Sequence, residues 1–174
     1  MTAIAYFIKG NGRRCRPQGN SMKALSFVFL AVLAVAGCAG QQLPASHQVT
    51  GSTTTDAAQA ASLISAYRVS QGLSPVTVDS RLNDAAEHQA RAVAAAGKLS
   101  HGRFGSRMEE FGVLGYSAEN LSAGSSTVDG AIGRWKASSG HNSNLLMPQA
   151  RRIGLARADA NGGYGRYWAL VLGQ

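Results

Sequence analysis

The sequence predicts a single α/β domain, a three-layer α/β/α sandwich around a small antiparallel sheet. Two observations lead to this fold class: apolar residues recur at helical spacing between residues 56 and 140, and strand-like apolar runs follow between residues 152 and 172. A chain of 174 residues has room for one ordinary domain and a short additional segment. Helices that cover both faces of one sheet form a sandwich of this kind.

Two amphipathic helices are expected in the first half of this domain. The first begins at Asp56, which has the spacing of a capping box with Gln59, and it ends at Gly72. The second is capped by Asp79 and ends at Gly97. Alanine dominates the apolar face of the second helix, so we expect it to approach its neighbour closely.

A third helix is expected over residues 126–140, after which the chain changes to strands. Residues 152–156 suit a strand, and residues 167–172 form a continuous apolar run that is typical of a strand covered on both faces. The turn Asn161-Gly162-Gly163 between them tolerates positive φ. We therefore expect the two strands to pair as an antiparallel hairpin.

The positive charge of the chain does not indicate a nucleic-acid partner. The formal net charge is +8, but five basic residues lie before or at the start of an apolar run, in a region without acidic residues: Lys9, Arg13, Arg14, Arg16 and Lys23. The remaining excess over the rest of the chain is three charges, and no basic helix or basic-aromatic repeat accompanies it.

Residues 22–37 have the outline of a secretory signal: a methionine, one lysine, about a dozen apolar residues and then small residues. The apolar run is too short for a transmembrane helix, which needs about 20 residues. Its end, Val35-Ala36-Gly37-Cys38, resembles a bacterial lipobox, in which the cysteine receives a lipid and becomes the mature N-terminus. The alternative is an ordinary signal peptide with an incidental cysteine. Ala39 favours delivery to the outer membrane if the cell has two membranes.

The chain thus divides into four segments. Residues 1–21 are interpreted as an extension from a start site placed too early, with Met22 as the initiator; a genuinely long n-region is the alternative. Residues 38–55 are polar and lack apolar periodicity, which predicts a flexible tether. Residues 56–174 form the domain. No cysteine lies in that domain, so packing alone must stabilise it.

Three residues are candidates for a functional site: His101, Glu119 and His141. The two histidines stand in loops or at helix ends, where polar residues are better functional candidates than in a core. Glu119 has apolar neighbours, and burying a carboxylate is costly unless a cation, a metal or hydrogen-bond donors meet it. His47, in the expected tether, and His88, in the second helix, are interpreted as solvated or core-edge histidines without a functional role.

The order of these motifs resembles the CAP superfamily, also called the SCP domain family. The similarity runs from residue 56 to the C-terminus and includes the following segments: Ser100-His101, Ala118-Glu119-Asn120-Leu121, Ser139-Gly140-His141-Asn142-Ser143-Asn144, Arg152-Ile153-Gly154-Leu155 and Tyr167-Trp168-Ala169-Leu170-Val171. The resemblance implies the α/β/α sandwich and a cleft that is lined by two histidines and one or two acidic residues. Several members of the family bind a divalent metal in this cleft.

Carried over residue by residue, the resemblance assigns His101, Glu119 and His141 to this cleft, while the second acidic residue of eukaryotic members, shortly after Trp135, is missing. Two imidazoles and a carboxylate could bind Zn or another divalent metal with one position open to water. The same groups could instead form a hydrogen-bonded cleft without metal, in which Glu119 fixes the tautomer of one ring.

The leading hypothesis for function is a monomeric binding module, held at the membrane by its lipid and presenting the cleft to a lipid or another envelope ligand. The alternative is a metal-assisted hydrolase, peptidase-like, with His101, Glu119 and His141 as catalytic candidates. A structural envelope protein is a third possibility. The missing second acidic residue disfavours the enzyme, because general acid and base roles are usually divided between two titrating groups.

Overall fold

The structure is a computed structural model that describes residues 3–8 and 47–174. The predicted signal sequence, with Met22 and Cys38, lies outside the described residues. The described residues form five helices and six strands, and the expected α/β/α sandwich is confirmed. In chain order these elements are β1 (Ala3–Ile8), β2 (Val49–Thr53), α1 (Ala57–Ser70), β3 (Thr77–Val78), α2 (Ser80–Ala96), α3 (Phe104–Glu110), β4 (Gly115–Ala123), α4 (Val128–Lys136), α5 (Ser139–Leu145), β5 (Arg152–Ala160) and β6 (Arg166–Gly173).

The strands form one sheet in the order β1-β4-β6-β5-β2, in which every neighbouring pair is antiparallel. The two-residue strand β3 lies off this path and pairs in parallel with the start of β5. The expected hairpin is confirmed: β5 and β6 pair from Arg152 opposite Gly173 to Asp159 opposite Arg166. The strand that carries Glu119 is therefore held by β6 on one edge and by β1 on the other.

Two apolar cores lie on opposite faces of this sheet, and β6 contributes to both. Its side chains alternate, so that Tyr167 and Val171 belong to the core with α2 and α3, while Trp168 and Leu170 belong to the core with α1, α4 and α5. All four are buried. A strand covered on both faces reads as a continuous apolar run, which is the pattern from which it was predicted.

Helix α2 ends as the sequence predicts, and α1 differs in its cap. The Asp79 carboxylate accepts hydrogen bonds from the backbone N–H groups of Arg81 and Leu82, and Gly97 closes α2 with φ of 60°. Asp56 precedes α1 but makes no side-chain capping bond, so the expected capping box is wrong. The carboxylate of Asp56 instead lies 3.5 Å from the guanidinium of Arg157.

The close approach expected for the alanine-rich helix occurs against β5. A Cβ atom placed on Gly154 would lie only 1.9 Å from the backbone carbonyl carbon of Leu82. Ala85, Ala86 and Ala90 on the same helix are fully buried. Small side chains on both surfaces bring α2 close to the sheet, which brings the segment that follows α2 close to β4.

The third expected helix is two helices. Helix α4 is capped by Thr127, whose hydroxyl accepts a hydrogen bond from the Gly130 N–H. It ends at Lys136, and after a short break the seven residues of α5 begin at Ser139. The break gives α5 its own direction and allows it to contact both β1 and β4.

Two segments that were expected to lie outside the domain contain strands. Val49–Thr53, within the expected tether, pairs with β5, so a tether that is flexible up to residue 55 is wrong for these residues. His47 is half-buried and lies against Gly97 instead of being solvated. Ala3–Ile8, within the expected extension, is the edge strand β1. The start at Met22 stays a prediction.

Within residues 3–8 and 47–174, the structure shows no helix of the length and apolar character that a membrane crossing requires.

Candidate functional site

His101 and Glu119 are in direct contact in the structure. His101 lies in the turn between α2 and α3, and Glu119 lies in the middle of β4. The His101 Nδ1 atom is 2.7 Å from Glu119 Oε1. The turn is braced by Gln89 of α2, whose side-chain amide donates to the carbonyl oxygen of Ser100. A histidine thus contacts the buried carboxylate, which is the arrangement of the hydrogen-bonded alternative described above.

Arg107 of α3 completes this cluster. Its guanidinium Nη2 donates to Glu119 Oε2 at 2.5 Å, and its Nη1 donates to the carbonyl oxygen of His101 at 3.3 Å. Glu119 is fully buried, and Arg107 and His101 are 6% and 8% exposed. The Arg107 guanidinium also lies 5.5 Å from the ring centre of Phe104. The cost of burying the carboxylate is thus offset by a cation and two hydrogen bonds.

The second nitrogen of His101 has a different environment. His101 Nε2 is buried and has no hydrogen-bond partner among the described residues. An ionised carboxylate can only accept hydrogen bonds, so the contact with Glu119 assigns the proton of a neutral His101 ring to Nδ1. Nε2 then presents a lone pair, and a group that donates a hydrogen bond would satisfy it.

His141 lies on the other side of β4. It belongs to α5, which packs with the core of α1 and α4, whereas His101 precedes α3 in the opposite core. Its Nδ1 atom is 2.8 Å from the hydroxyl of Ser138, and its backbone carbonyl accepts from the Asn120 amide at 3.0 Å. His141 is 1% exposed. Among the contacts that the structure describes, His141 is therefore joined to β4 through Asn120, the residue after Glu119.

A buried amide network extends this link. Asn144, one turn after His141, donates from Nδ2 to Asn120 Oδ1 at 2.9 Å and to the Glu119 carbonyl oxygen at 3.3 Å. The same Nδ2 lies 3.1 Å from the carbonyl oxygen of Ile4 on β1. Asn120 and Asn144 thus join α5, β4 and β1 around the strand that carries the carboxylate.

Glu119, as the structure holds it, does not fit a divalent metal as a ligand. A metal site requires several oxygen or nitrogen ligands with free lone pairs directed at one point. Here one oxygen of Glu119 is held by His101 and the other by the Arg107 guanidinium. The guanidinium charge would also repel a cation at this carboxylate. Among the described residues, no three His, Cys, Asp or Glu side chains form a group that could hold a metal ion.

Arg68 of α1 fixes the loop that follows α5. It is fully buried and donates four hydrogen bonds to backbone carbonyl oxygens: to Ser74, Leu145, Met147 and Ala150, at 2.7 to 3.0 Å. Burial lowers the pKa of Arg68, and the nearby charge of Arg151 lowers it further. The loop and the end of α5 are thereby held to α1, which stabilises the position of His141.

Two open cavities flank the turn after His101, and Gly102, Arg103 and Ser106 line both. One has a volume of about 370 Å³ and also contacts Ile4 and Phe104. The other has a volume of about 470 Å³ and reaches Arg107. Their walls combine apolar groups with basic, acidic and hydroxyl side chains, since Glu109 lines the first cavity and Glu110 the second. The neighbourhood of the turn therefore offers space for a ligand of mixed polarity.

Sequence reasoning found part of this cluster. It named His101, Glu119 and His141, of which the first two are in contact, while the backbone of His141 is bonded to Asn120. A cleft shared by all three stays a prediction. It missed the roles of Arg107 and Asn144. Arg107 has the spacing of a residue on the buried face of a short helix, six residues after His101, but only the fold shows that a guanidinium meets the carboxylate.

Other residues considered from the sequence have ordinary structural environments. His88 is exposed on α2 and makes an edge contact with Phe111, with the ring centres 5.9 Å apart. Trp135 and Trp168 are core residues whose indole N–H groups donate to backbone carbonyl oxygens at 3.1 and 2.8 Å. The predicted lipidation site Cys38 lies outside the described residues.

The sequence profile of the cysteine-rich secretory protein family, CAP, matches residues 61–172. The matched region contains β4, β5 and β6 as well as His101, Glu119 and His141. The chain therefore belongs to the CAP family.

Among curated proteins, the chain is similar to the uncharacterized protein YkwD of Bacillus subtilis strain 168. The two are 28% identical over an alignment of 134 residues, and the match covers 67% of this chain and 51% of YkwD. The chain thus corresponds to about half the length of this relative.

Three solved structures share the fold. An outer surface protein from Borrelia burgdorferi aligns with a TM-score of 0.63 and 19% identity, over 73% of this chain and 97% of that one. An extracellular protein with an SCP domain from Bacillus anthracis str. Ames aligns with a TM-score of 0.57 and 24% identity, over 67% and 39% of the two chains. A cysteine-rich secretory protein from Staphylococcus aureus Mu50 aligns with a TM-score of 0.54 and 19% identity, over 66% of this chain and 36% of that one.

Proposed function

We propose that this CAP protein is an exported binding module, anchored to the cell envelope by a lipid on Cys38, whose ligand donates a hydrogen bond to His101. The observation that carries the proposal is the Nε2 atom of His101, which is buried and without a partner among the described residues. A polar atom in that state is costly, and a ligand donor would remove the cost.

The chemistry of the ligand follows from the orientation of the ring. Glu119 holds Nδ1, so Nε2 accepts, and the complementary group is a hydroxyl, an amide or an ammonium. The adjoining cavities have walls of mixed polarity. A lipid-like molecule or another envelope component that combines an apolar body with one such donor fits this description.

The position of Arg107 supports binding rather than metal-assisted hydrolysis. The guanidinium neutralises Glu119 and occupies the oxygen that a metal would need. In this proposal Arg107 neutralises the negative charge of Glu119, and His101 contacts the ligand. The metal-assisted hydrolase is the competing function, and it requires Glu119 to leave Arg107.

Export and anchoring are supported by the predicted signal and lipobox. Two structural relatives, an outer surface protein and an extracellular protein, are consistent with export. Cys38→Ser should abolish acylation and release the protein from the membrane fraction. Membrane partition of the Cys38→Ser protein at the level of the unmodified chain would contradict the anchor.

Native mass spectrometry of the full chain, extracted in detergent from its own membranes, tests the ligand. We expect a bound organic molecule on the unmodified chain and on Arg91→Met, since Arg91 lies on α2 outside both cavities, and its loss from His101→Ala. Zinc chloride added at neutral pH should leave the masses of all three proteins unchanged. Stoichiometric zinc uptake that depends on His101 would overturn the proposal in favour of the metal site.

A further inference from the structure

We propose that the edge of β4 over residues 115–120 is a docking site for an extended, apolar peptide strand supplied by a partner protein. The inference rests on the proposed function and deepens it, since it names a peptide as the ligand class beside His101. In the structure, β1 occupies this edge, and its six residues pair antiparallel with β4 from Ala3 opposite Asn120 to Ile8 opposite Gly115.

The backbone of β4 provides the first element of recognition. Its other edge is paired with β6 from Ser117 to Ala123, so the edge facing β1 is the one that can accept a strand. An edge strand presents unpaired N–H and C=O groups, and an added strand satisfies them irrespective of its sequence. Ser117, Ala118, Glu119 and Asn120 are fully buried with β1 in place.

Asn144 provides the second element. Its buried amide, already tied to Asn120 and to the backbone of Glu119, also donates to the carbonyl oxygen of Ile4. Asn144 therefore binds a backbone carbonyl group of the strand on this edge, and the contact does not depend on the side chain at that position. A buried side chain that is directed at the backbone of an edge-bound strand is a feature of a built binding site.

A cavity beside the strand provides the third element. Ile4 lies opposite Glu119 in the register, is half-buried, and packs against the core that contains Phe104 and Met108. The cavity of about 370 Å³ continues past Ile4 along Gly102 and Arg103. An apolar side chain at the position of Ile4 in a docked strand can therefore occupy this cavity, next to the contact between His101 and Glu119.

The segment seated on the edge indicates the character of the partner. Ala3–Ile8 is uncharged and rich in residues that favour strands, with Ile4, Tyr6, Phe7 and Ile8. It also precedes the predicted export signal. Cleavage before Cys38 would remove it and leave the edge of β4 open to an extended segment of a second protein.

The test uses the chain of residues 1–174 in detergent, carrying Cys38→Ser to block lipidation and the cleavage that would remove β1; this is the unmodified chain of the comparisons below. The probe is a synthetic peptide of residues 1–10, in which Lys9 aids solubility. Ile4→Pro/Ala5→Pro in the chain should displace β1, because successive N–H groups of a strand alternate in direction and one of the two prolines must remove a ladder donor. Fluorescence anisotropy should show that this variant binds the peptide at least about tenfold more tightly than the unmodified chain does, since β1 no longer competes.

Two matched controls locate the binding. A peptide that carries the same two prolines should bind at least about tenfold more weakly, and adding Asn144→Ala to the displaced chain should weaken binding of the unmodified peptide. Equal binding by both chains, or equal binding of both peptides, would overturn the strand site. Dimerisation of the displaced chain without peptide binding would also overturn it and would assign the edge to a second copy.

A second measurement does not depend on the variant folding. A peptide with a photoreactive phenylalanine in place of Phe7, added in excess to the unmodified chain, should crosslink at residues 115–117, since Phe7 lies opposite Tyr116. Crosslinks confined to other regions would overturn the proposal. If His101→Ala binds the peptide as the unmodified chain does, the strand site stands and the role of His101 in the proposed function fails.

Discussion

Nδ1 of His101 lies 2.7 Å from Oε1 of Glu119, although the two residues are 18 positions apart in the chain and belong to different layers of the fold. The contact fixes the orientation of a buried imidazole and leaves its second nitrogen without a partner among the described residues. Arg107 holds the remaining carboxylate oxygen. The three residues act as a unit, and the first prediction tests their coupling.

Glu119→Gln should destabilise the fold by about 3 kcal/mol, because it leaves the buried Arg107 guanidinium without its counter-charge. Arg107→Met should cost a similar amount, since it leaves the carboxylate unpaired. The double variant should cost less than the sum of the two by more than about 1 kcal/mol. Urea denaturation at pH 7 measures all three; additive losses would show that the pair is not coupled.

Arg68→Met should lower the free energy of unfolding by about 3 kcal/mol or more, because four buried carbonyl oxygens lose their donor. Arg68→Lys should lower the free energy of unfolding by less, since an ammonium keeps the charge and part of the hydrogen bonding. Arg91→Met is the control: Arg91 is exposed and bonded to the Ser52 hydroxyl, and its loss should cost less than about 0.5 kcal/mol. Equal losses for Arg68→Met and Arg91→Met would contradict the role of Arg68.

Acid should weaken the fold through Asp79. Burial by itself would raise the pKa of this carboxyl, but the Leu82 N–H, the hydrogen-bonded Arg152 and the charge of Arg81 together hold the pKa below its ordinary value. A pKa that is lower in the folded chain stabilises the fold above the ordinary value, and this stability is lost as pH falls through the lowered pKa. Thermal unfolding between pH 2 and 7 should show this loss below about pH 4.

Asp79→Asn separates the charge of this residue from its cap. Asparagine caps helices about as well as aspartate, so Asp79→Asn should keep the cap of α2 and show a smaller loss of melting temperature on acidification. Asp79→Ala should in addition cost about 1 kcal/mol at pH 7. Identical pH profiles for the unmodified chain and Asp79→Asn would refute this account.

Gly154→Ala should destabilise the fold by more than about 2 kcal/mol, because the new methyl group would collide with the backbone of Leu82 and push α2 from the sheet. Gly133→Ala, in α4, has open space around its Cβ and should stabilise by about 0.5 to 1 kcal/mol through helix propensity. Chemical denaturation compares the two. A neutral Gly154→Ala would mean that the close approach of α2 is not required.

The sequence by itself determined the fold class, the hairpin of β5 and β6, and the cap and end of α2. These features depend on local signals: Asp79 and Gly97 act on the backbone beside them, and the continuous run at 167–172 requires a strand buried on both faces. It also named His101 and Glu119 as members of one site, since a buried carboxylate needs a partner and the family resemblance supplied the histidine.

Only the tertiary structure decided what Glu119 pairs with and where His141 lies. Side chains alternate across a strand, so Glu119 faces the core of α2 and α3 while Asn120 faces the core of α4 and α5. His141, on α5, therefore meets Asn120, and the Arg107 guanidinium takes the second oxygen of Glu119. Such contacts depend on which residues the packing of distant segments brings together, so the spacing of residues along the chain does not predict them.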